Sequence, residues 1–146
     1  MTRIRYALPA LALLVAACSS SGAATTPAPS GFTAATRVEV RLTDALRIEP
    51  AQMTVPVGVP VTFVVTNSGG IDHEFYLGDE AAQQAHAAEM PSMGGMMHDE
   101  PEGIAVKPGE TKELTYTFAA AGATLAGCHV AGHYAGGMRA AITVAA

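Results

Sequence analysis

The sequence predicts an all-β fold, a Greek-key β-sandwich with one short helix and a Met-rich loop inserted. Three observations carry this. From Arg37 onward, short apolar/polar alternations recur between Gly- and Pro-containing turns. Only 14% of the 146 residues are charged and Trp is absent, which suits a β-rich domain of small side chains. One apolar run, Val61-Thr62-Phe63-Val64-Val65-Thr66, is β-branched almost throughout.

The elements follow in order. Val38, Val40 and Leu42 alternate with Glu39, Arg41 and Thr43, as in a half-buried strand. Ile48 to Val55 contains Pro50 and precedes Pro56, which confines it to a sheet edge. Val57-Gly58-Val59-Pro60 is a turn before the strong strand 61–66, and Asn67-Ser68-Gly69-Gly70 ends that strand. Glu74 to Leu77 is a further strand. Between Asp79 and Met90 the composition shifts to Ala, Gln and Glu behind an Asp able to cap, so a short helix is expected there. Met90 to Asp99 reads as a loop, Ile104 to Val106 as a strand and Lys107-Pro108-Gly109-Glu110 as a turn. Leu114, Tyr116 and Phe118 share one face of the next strand, and Thr124–Cys128 and Ala140–Val144 complete the set. Seven or eight strands over about 110 residues describe the sandwich.

Ahead of this domain (37–146) lie two other segments. Residues 1–17 form a targeting segment: Arg3 and Arg5, an apolar stretch from Leu8 to Ala17 too short to span a bilayer, then Leu14-Val15-Ala16-Ala17-Cys18. That ending resembles the bacterial lipobox and implies lipidation of Cys18. Residues 18–36 are a Ser/Thr/Pro/Gly/Ala tether with a reach of roughly 25 Å. The expected location is extracytoplasmic, lipid-anchored to a bacterial membrane. With a net charge of −5 there is no basic footprint for nucleic acid.

The chain has two Cys, and lipidation of one leaves Cys128 without a disulfide partner in an oxidising compartment. Such a thiol is a liability unless it is buried as a small hydrophobe or bound to metal. Cys128, His133 and Met138 are spaced Cys-x4-His-x4-Met in one inter-strand loop, and His73 lies upstream. A trigonal His2Cys set with a weak axial Met holds copper for electron transfer, its soft sulfur donors and imidazoles serving both Cu(I) and Cu(II). A structural zinc site prefers closed Cys/His sets without Met.

The run Gly127 to Met138, with Val61-Thr62-Phe63, Asn67 and His73 upstream, resembles the cupredoxin family of blue copper proteins over roughly Val38 to Val144. The loop spacing is closer to auracyanin-like and rusticyanin-like members than to plastocyanin, whose Cys-to-His gap is shorter. The resemblance implies one copper per chain, with His73 and His133 ligating through Nδ1, Cys128 through sulfur and Met138 axially. It also implies that Asn67 braces the Cys loop by hydrogen bonds. The small and apolar groups of Gly132, Tyr134, Ala135, Gly136 and Gly137 would then surround an exposed His133 edge, the expected electron port. His129 alternates away from the metal and is expected in solvent.

A second cluster of soft donors comprises His86 and the run Met90 to His98. Met93, Met96, Met97 and His98 are the candidates for an additional Cu(I) site; the competing reading is a mobile loop whose thioethers cover apolar surface. Enzyme classes are disfavoured: a trinuclear copper centre needs many His in His-x-His pairs, and a binuclear one needs a second Cys in the loop. The expectation is a monomeric, membrane-tethered carrier of single electrons between redox partners such as a cytochrome or oxidase. The alternative is a copper carrier or tolerance protein delivering to a copper acceptor, using the same site plus the Met-rich loop.

Overall fold

In the computed structural model, residues 36–91 and 98–146 are described. Among the described residues nine strands and one helix follow in the order β1 (Arg37–Thr43), β2 (Arg47–Glu49), β3 (Gln52–Pro56), β4 (Pro60–Asn67), β5 (His73–Gly78), α1 (Glu80–Glu89), β6 (Gly103–Val106), β7 (Thr111–Thr117), β8 (Gly122–Gly127) and β9 (Arg139–Ala145). They form two sheets, ordered β2-β1-β4-β7 and β3-β9-β8-β5-β6. The all-β sandwich with one inserted helix is the expected architecture.

The segment predicted as a Pro-limited edge becomes two edge strands, one for each sheet. β2 pairs only with β1, and β3 only with β9. Pro50 lies between them, where the chain leaves one sheet for the other. A missing amide N–H is tolerated there because no ladder bond is lost.

Alternation decides what is buried. Val38, Val40 and Leu42 point inward from β1, Val61, Phe63 and Val65 from β4, and Ala140, Ile142 and Val144 from β9. The sheets meet through Phe63 of β4 and Phe75 of β5, both fully buried, with ring centroids 5.3 Å apart. Phe118 closes edge-on against Phe63 at 6.4 Å.

The helix is an insertion between β5 and β6. Asp79 caps it by accepting the amide of Ala82 at 2.9 Å, as its position predicts. Five of its ten residues are Ala, yet the residues it buries are Gln83 and His86. The helix therefore docks on β5 and β8 through polar side chains, which bears directly on the site.

Candidate metal centre

At one end of the sandwich three segments converge: the β4–β5 loop, the β8–β9 loop and the β1–β2 turn. His73 opens β5, and Cys128 directly follows β8, the neighbouring strand of the same sheet. The register that pairs Tyr76 with Gly127 sets these residues side by side. His133 and Met138 follow in the loop that leads to β9.

The loop is wound tightly by its own main chain. The amide of Cys128 donates to the carbonyl of Met138 at 3.1 Å, and the amide of Met138 to that of His133 at 3.0 Å. His133 N–H reaches Val130 O at 2.8 Å, and Gly136 N–H reaches Gly132 O at 2.9 Å. Gly132 and Gly137 hold φ of 83° and 93°, a region that side-chain-bearing residues rarely adopt. The backbone thus fixes three donors relative to one another before any metal arrives.

His73, Cys128 and Met138 are wholly buried, and His133 is 8% exposed. Nδ1 of His133 lies 3.3 Å from Cys128 Sγ, and Nδ1 of His73 lies 4.0 Å from it. One donor atom from each of His73, Cys128 and His133 falls within 4.8 Å of the others. An ion bonding nitrogen and sulfur at about 2.0–2.3 Å in a trigonal plane separates such donors by about 3.7 Å. The two observed separations bracket that value. Both rings turn Nδ1 towards the Cys128 sulfur, as the resemblance implied, and the two-imidazole, one-thiol set fits copper. Met138 is placed by its main-chain bonds to Cys128 and His133.

Electrostatics match a site that waits for a cation. Burial pushes the Cys128 thiol up to about 11, against the smaller opposing effect of the Glu74 amide on its sulfur. A metal must therefore displace its proton. Burial, and next the neighbouring His73, lower His133, which favours the neutral imidazole that a metal needs; Asp44 opposes weakly.

His73 is oriented by Asp44, whose role the sequence did not reveal. The Asp44 carboxylate lies 3.3 Å from His73 Nε2, so Nε2–H donates to it and Nδ1 keeps its lone pair. Asp44 is itself held by the Gly70 amide at 2.7 Å, the leading reason its carboxyl sits below the usual range. A Cβ at Gly69 would overlap that carboxylate, so this position has no room for a side chain.

Three expectations need correction. Asn67 does not brace the Cys loop. Its Nδ2 donates to Ile71 O (2.8 Å) and Val106 O (2.9 Å), and its Oδ1 accepts from Gly69 N–H, so it braces the loop that delivers His73. Glu74 holds the Cys loop instead: its N–H donates to Cys128 Sγ at 3.3 Å and its Oε2 accepts the His129 amide at 3.0 Å. His129 points away from the metal donors, but it is 7% exposed rather than solvated, because α1 covers it. Its ring stacks on Tyr134 at 4.7 Å, and burial lowers it to about 4.

The third correction concerns His86, grouped by sequence with the Met-rich run. It is buried, with Nε2 2.8 Å from Glu74 Oε1 and its ring stacked on Tyr76. His98 is exposed and pairs with Glu100 at 2.9 Å. Met93, Met96 and Met97 lie outside the described residues, as do Cys18, the segment 1–17 and the tether up to residue 35. Among the described residues no helix is long and apolar enough to cross a membrane.

No protein-family profile matches the chain. It is similar to the copper-resistant cuproprotein CopI of three bacteria. Identity is 41% to that of Rubrivivax gelatinosus, covering 69% of this chain and 61% of that one. It is 39% to that of Vibrio cholerae (77% and 66%) and 32% to that of Pseudomonas aeruginosa (96% and 97%). The chain spans just under two thirds of the first two relatives. Among solved structures, a dithionite-reduced auracyanin from Roseiflexus castenholzii superposes with a TM-score of 0.70 at 25% identity, over 78% of this chain and all of that one. Auracyanin A, a "blue" copper protein from Chloroflexus aurantiacus, gives 0.62 at 26% identity, over 75% and 98%.

Proposed function

The chain belongs to the family of copper-resistant cuproproteins, on a cupredoxin fold, and from that premise we propose that it binds one copper ion outside the cytoplasm and serves copper tolerance. The observation that carries this reading is the buried His73–Cys128–His133 set, pre-assembled by main-chain bonds and built from donors suited to both copper oxidation states. Bound copper supplies one-electron chemistry and a tightly held metal. The chain's own residues orient the imidazoles, keep the thiol out of water and limit access to the His133 side. This role is binding and exchange, not transformation of a substrate. Single-electron transfer to a redox partner is the second reading, favoured by the likeness to auracyanins and by the Gly132, Gly136 and Gly137 that flank the nearly buried His133.

The lipid anchor at Cys18 belongs to the same proposal, supported by the run Leu14 to Cys18 and by the free, buried state of Cys128. Fatty-acid labelling of the full chain should disappear in Cys18→Ala.

Titrating the purified chain with Cu(II) tests the centre. One equivalent should give an intense visible thiolate-to-copper band, absent in Cys128→Ser; a colourless wild-type protein would refute it. Growth of a copper-sensitive strain separates the two readings. Rescue by the wild type but not by Cys128→Ser supports tolerance. Failure to rescue, combined with rapid reversible cycling against a cytochrome, favours electron transfer.

A further inference from the structure

On the far side of Cys128 from the copper donors lies a buried polar network that metal binding does not use. Glu74 is 2% exposed, Gln83 0%, His86 4% and His129 7%. Glu74 grips the ligand segment twice, through its amide to Cys128 Sγ and through Oε2 to the His129 amide. Its remaining oxygen, Oε1, is held by His86. The His129 ring places Nε2 2.7 Å from Gln83 Oε1, and Gln83 in turn donates to the carbonyls of Tyr76 (3.1 Å) and Gly78 (3.3 Å). His86 stacks flat on Tyr76 at 3.9 Å.

Two of these four side chains come from α1, and both contribute partners to residues that touch the Cys128 segment. A buried carboxylate or imidazole stripped of its partner reorients or admits water, because leaving it unpaired is costly. Any shift of Glu74 would move both the donor on Cys128 sulfur and the peptide that carries Cys128. Hydrogen bonds to a ligating sulfur tune the metal it binds.

We propose that His86 and Gln83 are positioning residues of the copper centre: acting through Glu74 and His129, they make α1 part of the metal site and set the orientation of Cys128. The proposal rests on the copper reading given above. It explains why a helix that is half Ala buries an imidazole and an amide, and none of its Ala, against β5 and β8.

The test uses the full chain with His86→Phe, which keeps a ring against Tyr76 but gives up the bond to Glu74, and with Gln83→Leu. Two readouts are taken: the intensity ratio of the thiolate-to-copper bands, with the reduction potential, in the copper-loaded protein; and hydrogen exchange of the His129 amide in the metal-free protein. Both variants should alter the band ratio and potential, and His86→Phe should speed His129 exchange at least about tenfold, as expected when a local restraint is lost. His86→Gln, which can still donate to Glu74, should restore wild-type values. Wild-type band ratio, potential and exchange in both variants would overturn the proposal, even if their denaturation midpoints fall. If a variant does not fold, the other variant and His86→Gln carry the same comparison. A colourless wild-type protein would count against the copper reading alone, and His129 exchange would still decide the positioning role.

Discussion

Replacing Asn67 by Ala removes three hydrogen bonds at once, and the structure says which of them matter. Two partners, Ile71 O and Gly69 N–H, sit on an exposed loop where water can replace the amide. The third, Val106 O, belongs to a residue with no exposed surface. Leaving that carbonyl without its donor costs about 1–3 kcal/mol, and the two solvated bonds add roughly 0.5 kcal/mol each. The expected loss is therefore about 2–4 kcal/mol, a large share of a typical domain's stability. Urea unfolding of the metal-free chain should show it as a midpoint lower by roughly 2 M. Asn67→Asp sharpens the test, because it keeps the acceptor for Gly69 but turns a second oxygen towards two carbonyls. It should destabilise at least as much as Ala. A loss below about 1 kcal/mol for Ala, or a milder effect for Asp, would refute the argument that the donor into Val106 dominates.

Four other outcomes follow from the site. Asp44→Ala should weaken copper binding about tenfold by freeing the His73 tautomer, measured by competition with a chelator of known affinity. Gly69→Ala should have a similar effect, and the double variant should be no worse than the more severe single one, since both act on one contact. Copper affinity should rise about tenfold per pH unit between pH 7 and 9, because Cys128 must lose a proton held up to about 11; a flat profile would show that the thiol is not a ligand. His129 is neutral in the fold with a value lowered to about 4, so its contribution is intact above the ordinary 6.5 and is lost as pH falls through that window. The loss is on the order of 3 kcal/mol, and His129→Gln should flatten this part of the metal-free stability profile.

What was legible in the sequence was whatever depends on local period or chain spacing. The alternation in β1 and β4, the Asp79 cap and the Cys-x4-His-x4-Met loop are properties of contiguous residues, and each reads directly from the chain. What was not legible depends on contacts between distant segments. Asp44 lies 29 positions before His73 and carries no motif. Glu74 could be read as a strand residue next to a ligand, but nothing local says that both its oxygens are buried. His129 illustrates the boundary well: alternation gave its direction correctly, while its burial depended on a helix whose docking face is polar and so left no hydrophobic periodicity to find.

The division of labour between the sheets gives this centre its character. Every candidate copper donor belongs to the five-stranded sheet or its loops: His73 on β5, and Cys128, His133 and Met138 on the connection between β8 and β9. Glu74, on the same sheet, holds the Cys loop, and further supports come from elsewhere. Asp44 and Leu46 stand in the turn of the other sheet, where Leu46 packs so closely on Gly136 that a Cβ there would collide with it. Gln83 and His86 come from the helix. The donors keep their mutual geometry through bonds within one sheet and one loop, whereas the orientation of His73 depends on the two sheets staying in contact through Phe63 and Phe75. Loosening that aromatic contact should leave the Cys128–His133 pair intact while releasing the Asp44–His73 lock. Core packing between the sheets therefore acts on the centre chiefly through one imidazole, the one whose partner lies across the sandwich.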